Sequence, residues 1–301
     1  MTQKRSLRHF SIHRRGEGVQ PRELAPTLIW VATAAVLAFA VVYPSVVLIL
    51  SSFKTPQGYG FGNYLAVFQD KAIGVSVLNT VKVVFPSTLF STALGVFLAW
   101  AVIRTDVPGR GLWRSLLAIP YLIPPFIGAI SWTFLLGPVG FFNQLWQSAA
   151  GASQPLVDLY SLGGMVFVMS IYRYAVPYVV VLPAMKKVNA AVEEAARVSG
   201  ASPWRTLRDV TLPLLTPSIL GATLLVFMFI LADFGVSAVL GAPNQIRLMT
   251  TQIYAIINRP DLPGNLQLAA AYSLLLALFG LLGLALYNRV LAAQKYVVVS
   301  G

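Results

Sequence analysis

Residues able to hold a metal, attack a bond or move a proton are scarce in this sequence. His9 and His13 are four apart, a spacing that puts two ligands on one helical face. They lie in a basic, apolar-poor tail with no further ligand beside them, so the tail reads as solvated. Cysteine is absent, which excludes disulfides and thiolate metal sites. A phosphate-binding loop for nucleotide hydrolysis needs lysine directly after glycine, and no lysine here follows one. What remains are three charges inside apolar runs: Lys82, Arg173 and Asp233. Isolated charge in hydrocarbon costs at least about 2.5–3.5 kcal/mol, so each must face protein or water. Asp233 either lines a pathway or gate, or holds the bundle by pairing with Arg173 or capping broken backbone; the residues alone leave both open. Lys82, near the start of its run, can reach the interface along its alkyl stem.

The elements that would carry these charges are apolar helices. Hydrophobic residues make up 57% of the 301-residue chain and charged residues only 11%, against about a quarter in soluble domains. Six runs reach the roughly 20 residues needed to cross a bilayer, at about 26–53, 75–103, 112–136, 161–185, 212–240 and 266–291. The first is too long for a signal-peptide core and reads as a retained helix. The expected fold is an all-α membrane protein with six transmembrane helices. A basic tail occupies 1–25, the membrane domain 26–291 and a short end or linker 292–301.

The net charge of +12 fits topology rather than nucleic acid, because the basic residues sit between apolar runs instead of clustering among aromatics on one face. Lys4, Arg5, Arg8, Arg14, Arg15 and Arg22 fill the tail. Arg104, Arg110 and Arg114 follow the second run, and Lys186, Lys187, Arg197, Arg205 and Arg208 follow the fourth. Arg289 and Lys295 close the chain, while the alternate loops hold only Lys54, Lys71, Arg247 and Arg259. The positive-inside rule then makes both termini and the fourth loop cytoplasmic. Prolines at 44, 86, 120, 124, 125 and 177 should kink or break several helices, which suits a hydrated path better than a plain anchor.

The fourth loop, 186–211, is the informative segment. Ala190–Val198 reads as a short helix with Glu193 and Glu194 early, where they favour the dipole. Gly200 is placed to end it in a left-handed conformation. Ser202-Pro203 suits an N-cap and first turn of a second helix. Pro213 and Pro217 mark entry into the fifth run. The product is a helix-turn-helix knob offering Trp204 and Leu207 as apolar contacts, which crossing a bilayer does not require.

This segment closely resembles the signature loop of permease subunits of binding-protein-dependent ABC importers. Its positions are Glu194-Ala195-Ala196, Gly200, Val210 and Leu212-Pro213, with Leu207 where phenylalanine is commoner. The resemblance implies a coupling helix, comprising Glu194, Ala195, Ala196, Gly200, Ala201, Trp204, Leu207, Leu212 and Pro213, that docks on a separate cytoplasmic ABC ATPase dimer. ATP and magnesium would belong to that partner, and the chain itself would be a transport subunit with no cofactor. It further implies a periplasmic or lipoprotein solute-binding protein and a second permease half or subunit.

Residues 232–241, from Ala232-Asp233-Phe234-Gly235 to Leu240-Gly241, are similar to a segment of ferric-iron-type permeases, which implies iron as cargo. Related permeases for thiamine, phosphonate, sugar phosphate and polyamine look alike. Iron ligands are not visible in the spans, so they would reside in the binding protein. The ending at 296–301 resembles the linker at which a second half begins in fused permeases, which implies either the N-terminal half of a fused chain or a naturally split version of one. Two other classes compete. A secondary transporter would show paired repeats with broken helices in both halves, and only one signature loop is present. A membrane enzyme would need converging nucleophile, base or metal ligands.

Overall fold

The computed structural model describes residues 21–293. Among them, six helical segments are long and apolar enough to cross a membrane: Leu28–Phe53, Lys71–Arg104, Pro125–Ala150, Leu162–Lys187, Pro203–Leu231 and Asn265–Ala292. His9, His13 and the rest of the basic tail lie outside the described residues, as does Lys295.

The chain divides into two compact units, residues 1–50 and 51–301. In the first, α1 (Pro21–Leu37) runs through a π-helical turn, Ala38–Val42, into α2 (Tyr43–Phe53). Proline is the cause of that turn. Pro44 has no N–H to offer the carbonyl of Ala40, so the hydrogen-bond ladder widens locally rather than breaking. Phe39 and Tyr43 stack across it with ring centroids 5.8 Å apart.

The second unit opens with a minimal hairpin, β1 (Lys54–Thr55) with β2 (Gly58–Tyr59), and a short helix α3 (Gly62–Gln69). Its spine is α4 (Lys71–Arg104), 34 residues and about 51 Å long at 1.5 Å per residue. Asp70 caps it, Oδ1 accepting from the Ala72 N–H at 2.7 Å. One face of α4 carries Ser87, Ser91, Gly95 and Ala99, small residues every four positions and all buried. Such a stripe lets helix backbones approach closely in a membrane. A Cβ on Gly95 would stand 2.5 Å from the Tyr174 carbonyl oxygen and 2.7 Å from the Pro177 ring. The helices facing it are α8 (Leu162–Arg173) and α9 (Ala175–Lys187), and the stripe lies over their junction. They separate at Tyr174 because Pro177 cannot donate to the Arg173 carbonyl.

Two expected crossings are redrawn, and proline is the cause in the first of them. The third was expected at 112–136. Instead α5 (Arg110–Leu116) stops, a single 3₁₀ turn covers Ile119–Tyr121, and α6 (Pro125–Leu136) begins only at Pro125. Pro125 holds Pro124 extended, at ψ 126°, so no helix passes through. The segment long enough to cross joins α6 to α7 (Phe141–Ala150). The fifth was expected at 212–240. It ends at Leu231, and residues 232–234 break the helix before a separate α13 (Gly235–Gly241). The described residues close with α14 (Met249–Ile257) and α15 (Asn265–Ala293).

Candidate functional site

The fourth loop folds as its sequence dictates. α10 (Ala190–Val198) is capped by Asn189, whose Oδ1 accepts from the Ala191 N–H at 2.9 Å. Gly200 adopts φ +88°, a conformation that costs other residues about 1–2 kcal/mol. Ser202 caps α11 (Pro203–Thr206), its hydroxyl accepting from the Arg205 N–H at 3.3 Å. A second π-helical turn, Leu207–Thr211, then leads into α12 (Leu212–Leu231). The cause is the same as before: Pro213 leaves the Asp209 carbonyl without its donor.

The loop has a presented face and an anchored one. Glu194, Ala195, Gly200 and Trp204 are exposed, with Trp204 67% accessible and Val198 88%. Ala196, Ala201 and Leu212 are half-buried and Pro213 is exposed. Leu207, expected as a second apolar contact, is only 6% exposed. It belongs to the anchored face, so Trp204, Val198 and Val192 are the large apolar groups on offer.

That anchored face holds an arrangement the sequence reading missed. Glu193, one residue from the signature glutamate, is 4% exposed. Its Oε2 lies 2.8 Å from Arg104 Nε, at the last turn of α4, as a charge contact outside hydrogen-bond alignment. Its Oε1 accepts from the Thr211 hydroxyl at 2.7 Å. Arg104 Nη2 in turn donates to the carbonyls of Met185 and Val188 at 3.1 and 3.3 Å. The available signal was helical geometry: adjacent residues point about 100° apart, so Glu193 and Glu194 cannot share a face.

A second constellation forms where helices break. Arg173 Nη2 and Asp233 Oδ2 are 3.0 Å apart. Asp233 Oδ1 accepts from the Val236 N–H at 2.9 Å, capping α13, and its carbonyl accepts from the Thr250 hydroxyl at 2.9 Å. Arg173 also lies over the Phe229 ring, 5.3 Å from its centroid. Gly235 admits α6 here, since a Cβ would fall 2.6 Å from Cβ of Phe126. The interruptions before Pro125, at Tyr174 and at residues 232–234 therefore converge on one ion pair. Arg173 lines a cavity of about 310 Å³ with Pro120, Pro124, Pro125 and Phe229. Phe234, the residue after Asp233, lines another of about 500 Å³ with Ser237, Arg247 and Tyr254.

Depth can be judged along α4. Asn79 donates to the Arg247 carbonyl at 3.2 Å near one end, and Arg104 meets Glu193 at the other. Those positions are separated by about 37 Å of helix, more than the roughly 30 Å hydrocarbon core. Gly95, against Tyr174, is about 14 Å from the Arg104 end. Lys82 is exposed on α4. Among the described residues no group of three His, Cys, Asp or Glu side chains is placed to hold a metal.

Residues 91–295 match the family model described as binding-protein-dependent transport system inner membrane component. The chain belongs to that family. It is an ABC importer permease, as the signature loop implied. The molybdenum transport system permease protein ModB of Escherichia coli (strain K12) is 29% identical over 209 residues, covering 69% of this permease and 90% of that one. The ferric transport system permease protein FbpB of Actinobacillus pleuropneumoniae is 25% identical over 265 residues, covering 87% of this chain but only 38% of the relative. Among solved structures, a bacterial ABC transporter involved in import of the acidic polysaccharide alginate matches with TM-score 0.76 at 22% identity, over 91% of this permease and 97% of that chain. That likeness establishes the fold.

Proposed function

We propose that residues 186–211 form the docking element for a cytoplasmic ATPase dimer, and that ATP-driven movement of this element opens and closes a path past the Arg173–Asp233 pair. The observation that carries the reading is the exposed Trp204 on a loop whose two helices are rigidly capped. A large aromatic on a preorganised protrusion is the residue type that dominates protein interfaces. Exposed Glu194 beside it suits a basic partner group. The separation of this loop from the Arg247 loop by more than a hydrocarbon thickness supports placing them on opposite sides, with the basic fourth loop cytoplasmic. A second permease half or subunit completes the path, and a solute-binding protein delivers the cargo. Co-purification of the ATPase with wild-type permease but not with Glu194→Lys is the direct test.

For the cargo, the proposal is ferric iron, carried by the similarity of residues 232–241 and by ferric relatives that match over 87% of the chain. Its ligands would come from the binding protein, since the described spans offer no metal-holding group. A second reading is a tetrahedral oxyanion. It is favoured by the molybdenum relatives and by Arg173 and Arg247, which line the two cavities beside Asp233. Uptake by the reconstituted transporter of radiolabelled ferric iron, molybdate and sulfate, each competed with the others, separates them.

A further inference from the structure

We propose that Arg104, Glu193 and Thr211 form the joint through which movement of the docking loop reaches the second and fifth spans. The inference rests on the reading that residues 186–211 dock on the ATPase, and it assigns a different task to a different face of that loop.

A loop pushed by a partner moves the membrane helices only if it is fastened to them more firmly than it is fastened to solvent. α10 is a nine-residue helix whose outward face is exposed, and Glu193 is its one fully buried side chain. The Glu193 carboxylate reaches two different spans at once, one oxygen beside Arg104 at the end of α4 and the other bonded to Thr211 at the root of α12. Arg104 extends the connection to a third element through the Met185 and Val188 carbonyls, where α9 ends. Four elements thus meet at one ion pair. Buried charges resist separation because either one left alone is uncompensated, so displacement of α10 is transmitted rather than absorbed.

The surroundings allow such displacement. Arg104 and Glu193 line a cavity of about 300 Å³ with Trp100, Asp106, Arg197 and Thr206. The Thr206 hydroxyl is buried there with no hydrogen-bond partner. A joint seated beside open volume can rotate without crushing a packed core. The π-helical turn Leu207–Thr211 adds compliance at the root of α12, where Thr211 is its last residue. From there α12 runs unbroken to Leu231, two residues before Asp233.

The chain has no cysteine, so a single Val176→Cys beside the Arg173 cavity reports the state of the path by maleimide labelling with and without ATP. In the permease–ATPase complex, Arg104→Ala and Glu193→Gln should keep the ATPase bound and hydrolysing while the ATP-dependent change in labelling falls about tenfold, within the range of ordinary inter-site coupling. The double variant Arg104→Met/Glu193→Met replaces the pair with apolar packing and should recover assembly and heat resistance but not the labelling change. Recovery of the change in that variant would show the pair to be merely structural and overturn the proposal. So would parental labelling in the single variants, or loss of ATPase binding in them. Should both singles fail to insert, Thr211→Val removes one strut at nearly constant volume; a reduced ATP-dependent change supports the joint, and a parental one overturns it. The docking reading fails separately, if Trp204→Ala and Glu194→Lys both leave the ATPase bound.

Discussion

Arg173 and Asp233, 60 residues apart in sequence, are joined at 3.0 Å where three helices lose continuity. The pair performs two tasks. Asp233 caps the helix that restarts at Gly235, and Arg173 closes the charge balance in a setting that tolerates no isolated ion. Arg173 lines one cavity, and Phe234, next to Asp233, lines another.

Removing one partner should therefore cost more than removing both. Asp233→Ala strands a mostly buried guanidinium and should destabilise the permease by about 3–5 kcal/mol, whereas Arg173→Met/Asp233→Leu should recover most of that loss. Thermal unfolding of the purified permease, followed by tryptophan fluorescence, checks the order.

Gly95 makes a sharper case. An alanine there meets backbone at 2.5 Å on the far side, so α4 must move off the α8–α9 junction. Gly95→Ala should lose about 1–3 kcal/mol through overpacking. Gly74→Ala on the same helix meets nothing within 4 Å and should gain slightly in stability. The same unfolding assay compares them directly.

At Gly200 the obstacle is conformation rather than space, for φ is +88° and no atom lies within 4 Å of an added Cβ. Gly200→Val should weaken the loop by about 1–2 kcal/mol, and Gly200→Asn by less, because asparagine tolerates the left-handed region. Protease resistance of the fourth loop should follow that ranking.

Much of this was legible in the residues, and what escaped had a common cause. Helix boundaries in the fourth loop follow from Gly200, Ser202 and Pro203, whose preferences act within a turn. The six apolar segments follow from composition alone. Apolarity alone makes the third and fifth crossings continuous, whereas Pro124-Pro125 interrupts one and a carboxylate able to cap, Asp233, restarts the helix after the other. Leu207 was assigned outward and lies inward because its direction depends on where α12 packs. The Arg104–Glu193 contact, across 89 positions, could not be found by pattern, since it depends on how α10 folds back against α4. The spacing of Ser87, Ser91, Gly95 and Ala99 is visible in the sequence, and the stripe is buried where α4 meets the α8–α9 junction.

If an exposed face of residues 186–211 carries the proposed contact with the ATPase, the affinity of that contact must depend on its apolar anchor. With the permease held in nanodiscs and the ATPase titrated, Trp204→Ala should weaken binding roughly 30-fold, the loss of about 2 kcal/mol expected for an interface anchor. Pro203 and Ser202 keep the helix in place in that variant, so the loss reports the side chain alone. Wild-type affinity in Trp204→Ala and in Glu194→Lys together would contradict the account.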